Sequence, residues 1–285
     1  MDVKQQSEPD TKSHQASTES WTHCNDLLGR LAVDAASAMA AAVAVSPVMT
    51  IIDRAVVAAA ATQFSALLNM RLAAKGALRH PGTFLSSRPL RLMTLLYFGT
   101  YSVANGMDTA NSYAESLPAS TTTSNTSKFA AVTVINLGLS LYKDNCFAQT
   151  FGPKTKFLRP LPASSFVPFL LRDGITLFFT FNVPALASDN LPEGIEQYIS
   201  RLSVLQLAAP AASQLLATPL HLYGLDLYNR PGELSMRDRF AIVRRTWLSA
   251  FAARACRIIP AYGIGGVLNN DVRAMMMRRH EKNLA

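Results

Sequence analysis

The chain has 285 residues, 49% of them hydrophobic and 16% charged, well under the ~25% charge of soluble domains. Its net charge of +8 suits nucleic acid, anionic lipid or anionic substrate, but no helix-turn-helix, zinc-finger or RNA-binding signature accompanies it, so nucleic acid is not expected. Mean hydropathy is +0.14, which suits membrane helices that turn one polar face to a central cavity.

Taken in order, the chain opens on a polar stretch, Met1 to about His23, rich in Ser, Thr and Gln. It reads as a disordered tail within residues 1–25. No basic-then-apolar leader precedes the first long segment. That segment, Asp26–Ala61, is dominated by Ala and Val, with Asp34, Pro47, Asp53 and Arg54 inside it. An Ala-rich helix kinked at Pro47 can span a membrane, provided the face with the charges is wet. Gln63–Lys75 carries Phe64, Leu67, Leu68 and Leu72 beside Arg71 and Lys75, the pattern of a short interfacial helix. Leu92–Met107 is uncharged and forms the second span. Asp108–Ser127, rich in Ser, Thr and Asn, is a water-exposed connection.

Phe129–Tyr142 is the third span, with Lys143 and Asp144 near its end. The basic, proline-rich Gly152–Ser165 is a loop, and Pro168–Ser188 is the fourth span, interrupted by Arg172 and Asp173. Leu202–Leu225 holds 24 uncharged residues and has the clearest spanning length. Leu234–Thr246 is a basic amphipathic helix, Trp247–Asn270 the sixth span, and residues 278–285 a basic tail. Arg237, Arg239, Arg244 and Arg245 of the amphipathic helix bind phospholipid headgroups or face water. Cys24, Cys146 and Cys256 stand far apart, without the paired spacing of a metal site or disulfide framework. No Walker loop, GxSxG, paired catalytic carboxylates or Cys-His constellation is present, so neither an enzyme nor a cofactor is expected.

The most informative stretch is Ala253–Arg273. Its apolar middle, Ile258 to Leu268, holds Pro260, Gly263, Gly265 and Gly266. Three glycines would weaken a water-exposed helix by ~1 kcal/mol each, whereas in lipid small residues let helices approach closely. Arg257 lies just before this run, and an intramembrane Arg should face a polar interior. Arg91–Asn105 and Arg172–Ala185 look like worn copies. Tyr97-Phe98-Gly99-Thr100-Tyr101 aligns with Leu177–Phe181 and then Tyr262–Gly266, at steps of 80 and 85 residues, and such a period reads as repeats.

On these residues, "LLRDGITLFFTF" and "RIIPAYGIGG" resemble the even-numbered transmembrane helices of the mitochondrial carrier family. The resemblance implies an all-α membrane protein with six transmembrane helices in three pseudo-repeated pairs. Its repeats would occupy residues 26–112, 128–189 and 195–277, with a linker at 113–127. It also implies residence in a mitochondrial membrane, inner rather than outer, with the lipid bilayer and anionic phospholipid as partners and a small-molecule substrate. The family's gate ring, a Pro followed by an acid two residues on and a base five on, is missing from all three candidate starts, Pro47, Ser140 and Pro219. Asp53, Asp144 and Asp226 sit near its level but out of register; they make a substitute polar layer or are helix-end charges facing headgroups or water.

At the family's substrate-contact level the resemblance puts Arg172 and Asp173 at the second point and Arg257 at the third. The first falls on Leu92-Met93, beside Arg91. An Arg can bind a carboxylate bidentately while an Asp receives an ammonium, so the resemblance implies transport of a small anionic or zwitterionic metabolite, with Arg172, Asp173 and Arg257 as its substrate-binding residues. His221, with Asp226 alone at nearby spacing, is expected to be structural rather than a metal ligand. Loss of the gates supports an alternative: a non-transporting carrier-fold protein of the outer membrane, acting in membrane dynamics or protein insertion.

Overall fold

The computed structural model describes residues 11–62, 64–152, 162–181, 183–187, 201–230 and 234–284, with Pro192 and Gly232. Every regular element among the described residues is helical. In chain order these are α1 (Thr11–Ala61), α2 (Ala66–Arg79), α3 (Pro81–Leu85), α4 (Arg88–Ala114), α5 (Thr126–Phe151), α6 (Ala163–Phe181), α7 (Val183–Ala187), α8 (Arg201–Asn229), α9 (Met236–Cys256), a π-helical segment (Ile259–Gly266) and α10 (Val267–Leu284). The expected basic loop falls mostly on 153–161 and so lies outside the described residues. α1 begins at Thr11, inside the stretch expected as tail; Met1–Asp10 lie outside the described residues.

Several starts follow from local chemistry. Ser65, Ser87 and Ser235 each accept a hydrogen bond from the backbone N–H three residues on, as does Asn125. Such N-caps satisfy donors that the first turn of a helix leaves unpaired. The amphipathic helix and the start of the sixth span, expected as two elements, are one: nothing between Thr246 and Trp247 breaks the chain, so α9 runs unbroken from Met236 to Cys256. Pro260 and the glycines interrupt the remainder, which winds as a π-helix. Tyr101 donates to the Ala261 carbonyl at 3.1 Å, satisfying one group of this widened turn. A side chain at Gly265 would run into the Tyr101 hydroxyl and stand 2.8 Å from Val45 Cγ1, so this close approach needs glycine.

The long helices pack as a ring. α1 lies on α4, α4 on α5, α6 on α8, α8 on α9, and α9, the π-helical segment and α10 return against α1. Between α5 and α6 the packing is thin, and α6 leans on α8 instead; the second of the expected helix pairs is therefore not a closely packed one. Close packing along α1 is possible because many of its fully buried positions are small, Ala38, Ala41, Ala42, Ala55 and Ala59 among them. An apolar core joins Val45, Met49 and Ile52 with Met93, Phe147, Phe169 and Leu225.

Burial is inverted relative to a water-soluble domain. Asp34, Asp53, Asp108, Lys143, Asp144, Arg172, Arg254 and Arg273 are buried, while Leu28, Val43, Val134, Phe178, Leu216 and Leu248 are exposed. An apolar belt of this kind belongs against lipid or a partner rather than water. By length and hydropathy, one described helix qualifies as a membrane span, Asp26–Ala61.

Candidate functional site

A cavity of about 180 Å³ lies inside the ring, far larger than one water needs. Its wall draws on five helices. α4 supplies Thr100 and Tyr101, and α5 supplies Asn136, Ser140 and Lys143. Arg172, Asp173 and Thr176 come from α6, Gln214 from α8, and Arg254 and Arg257 from the end of α9. Leu96, Leu177, Ile258 and Ala261 add apolar surface. All three residues singled out from sequence therefore face one space. The position beside the proposed first contact point does not join them: Arg91 is exposed and Met93 is packed in the core.

At one end of the cavity the charges alternate in an unbroken chain. Arg257 Nη1 lies 2.9 Å from Asp53 Oδ1, and Asp53 Oδ2 lies 2.6 Å from Lys143 Nζ. Lys143 also reaches Asp144 Oδ1 at 2.7 Å, and Asp144 Oδ2 meets Arg172 Nη1 at 2.6 Å. Arg172 closes the series on Asp173 with two bonds, from Nε at 2.8 Å and Nη2 at 2.6 Å. The three sequence-derived residues are the two ends of this chain. Its links cross from α9 to α1, α5 and α6, so it ties together the thinly packed α5 and α6. A buried charge without a counter-charge costs several kcal/mol; alternation meets that cost for all six.

His221 sits against the same layer. Arg172 Nη1 lies 2.8 Å from His221 Nδ1; a guanidinium only donates, so Nδ1 accepts and the ring proton belongs on Nε2. Of the three out-of-register aspartates, Asp53 and Asp144 form the buried layer. Asp226 stands apart, held by Arg230 and, at 2.6 Å, by Arg239. Arg239, grouped from sequence with the headgroup-facing arginines, is thus buried between α8 and α9.

Sequence reasoning missed Lys143, Gln214 and Arg254 as wall residues. Arg254 was findable, because it stands three positions before Arg257 and that spacing puts both on one face of a helix. Gln214 gave no signal, standing in an uncharged run among small residues.

A second polar cluster lies farther along the bundle, where α1, α4 and α10 meet. Arg273 Nε donates to Asp34 Oδ1 at 2.7 Å, Nη1 to the Thr121 carbonyl at 3.2 Å and Nη2 to Thr109 Oγ1 at 3.0 Å. Asn105 and Asn269 exchange side-chain hydrogen bonds at 2.9 and 2.8 Å. Asp108 pairs with Lys128 at 2.6 Å.

A helical ring with an apolar exterior and a charged interior cavity is the build of a membrane transporter for a polar solute. The chain belongs to the family described as "Probable citrulline exporter", whose model matches residues 37–277. No curated protein and no solved structure matches it. The family is described as one of probable exporters, which supports a membrane protein of the transport class. This corrects the resemblance drawn from the sequence, which named the mitochondrial carrier family. The glycine-and-aromatic segments that carried it are what closely packed helices around a polar cavity need in general. The gate ring that would have been specific was absent. Expectations that rested on that resemblance, the mitochondrial membrane and the carrier repeat among them, lose that support.

Proposed function

We propose that this protein exports citrulline, or a closely similar zwitterionic amino acid, through the cavity bounded by Arg172, Asp173 and Arg257. The observation that carries the reading is the cavity wall, which presents charges of both signs together with neutral hydrogen-bonding groups. A carboxylate, an ammonium and an uncharged ureido group need just such a wall. Thr100, Asn136, Ser140 and Thr176 are suited to the ureido end. The ion-pair chain bars one end of the path and opens when its links exchange partners during a transport cycle.

In this reading α1, α4, α5, α6, α8 and the α9–α10 rod make six crossings. α4, α5 and α8 have 27, 26 and 29 residues, beyond the roughly 20 a bilayer core requires. Their polar inner faces lower their mean hydropathy, which explains why α1 stands out as the apolar span.

The test is efflux of labelled citrulline from vesicles containing the purified full-length chain, with other amino acids and carboxylates as competitors. Saturable citrulline efflux is expected, lost in Arg257→Ala. If no solute in a broad amino-acid and carboxylate panel moves, transport is wrong and a non-transporting membrane role takes its place.

A further inference from the structure

We infer that Arg254, presented by Gln214, is the docking point for the substrate's carboxylate. The role of Arg254 follows from counting charges. Among the described residues, three carboxylates, Asp53, Asp144 and Asp173, and four cations, Lys143, Arg172, Arg254 and Arg257, line the cavity or pair with its wall. The alternating chain uses all three carboxylates on three of the cations. Arg254 is left over. It is 5% exposed, lines the cavity, and has no carboxylate within ion-pair distance among the described residues.

Its Nε donates to Gln214 Oε1 at 2.9 Å. That leaves the two Nη groups, the fork that binds a carboxylate bidentately. Gln214 is held in the required orientation. Its Nε2 donates to Ser213 Oγ at 3.1 Å and to the Pro210 carbonyl at 3.4 Å, which turns the oxygen toward Arg254. Charged groups near Arg254 include Arg257 with Asp53 and Arg172 with Asp144, two like and two opposite and already matched with one another.

The ligand class follows from a carboxylate elsewhere on the wall. Asp173 keeps 15% of its side chain exposed, against 1% for Asp144 and 5% for Asp53. It is the carboxylate most open to an incoming ammonium. A monoanionic carboxylate balances the surplus charge at Arg254. A zwitterion sets its carboxylate there and its ammonium at Asp173, which turns from Arg172 to receive it. Choice of a zwitterion rests on the export reading above; the carboxylate site itself does not.

The experiment uses purified full-length protein in detergent and follows its thermal unfolding with citrulline, with its carboxamide, and with acetate. The wild type should bind citrulline at least tenfold more tightly than the carboxamide. Gln214→Glu supplies Arg254 with a carboxylate from within the chain. It should unfold at the wild-type temperature or higher, yet bind citrulline at least tenfold more weakly. Arg254→Lys, which keeps the charge but loses the fork, should fall between them. Equal binding of citrulline and its carboxamide by the wild type, or undiminished citrulline binding by Gln214→Glu, overturns the assignment. If citrulline does not bind but acetate stabilises the wild type and not Gln214→Glu, the export reading falls and the carboxylate site stands. If neither ligand stabilises the wild type, both are wrong.

Discussion

The cavity layer and the Asp34–Arg273 cluster are built from the same parts, and the contrast between them separates a site from a strut. Both join α1 to the last helical rod by an Arg–Asp pair, the half-buried Arg257 with Asp53 at 2.9 Å and the buried Arg273 with Asp34 at 2.7 Å. In the cluster, two acids (Asp34, Asp108) meet two bases (Arg273, Lys128), every nitrogen of the Arg273 guanidinium has an acceptor, and Asn105 and Asn269 satisfy each other. Around the cavity the balance is three against four. A fully satisfied buried network fixes one arrangement of its helices, while an incompletely satisfied one is held at a cost and invites a ligand.

The sharpest way to break the comparison is Arg273→Ala. It strands Asp34 in a buried site and should lower stability by about 3–5 kcal/mol, read as thermal or denaturant unfolding in detergent, with citrulline preferred over its carboxamide as before. A changed preference would show that the cluster is part of the site. Arg257→Ala should act the other way. Efflux should drop by about a hundredfold or more, equivalent to ~2.7 kcal/mol, through loss of a wall charge and release of Asp53; a rate near wild type would take Arg257 out of the pathway.

Gly265→Ala should cost about 1–3 kcal/mol by overpacking against Val45 and Tyr101. Little loss on unfolding would mean that α1, α4 and the π-helical segment do not meet as closely as described. A double-mutant cycle on Asn105 and Asn269 should return a coupling of roughly 0.5–1.5 kcal/mol in stability and none in efflux. At the small end, Arg278→Ala at an exposed position of α10 should leave both readouts unchanged, since a solvated charge contributes within about 0.5 kcal/mol.

Much of the frame was legible in the residues. Burial on α1 follows the three-and-four spacing of Asp34, Ser37, Ala38, Ala41, Ala42, Val45 and Ser46, which is local information. So are the serine and asparagine caps. An ionisable residue inside an apolar run must find water, a partner or a ligand, so Arg172, Asp173 and Arg257 could be chosen before any fold was known. The family could not be read from those same residues, because close helix packing and a polar interior are demands that unrelated sequences meet with the same glycines and aromatics.

What the tertiary structure decided was which charges cancel. Asp53 lies 90 residues from Lys143 and 204 from Arg257, and no local pattern forecasts an ion pair across such distances. Without those pairings Arg172 and Arg257 look like the cations awaiting a carboxylate, and Arg254 like one more base in a basic helix. Once the carboxylates are distributed in space, Arg172 and Arg257 are matched and Arg254 is not. Charge balance in a low-dielectric interior is a property of the assembled neighbourhood, so the residue left unbalanced emerges only when the helices are brought together.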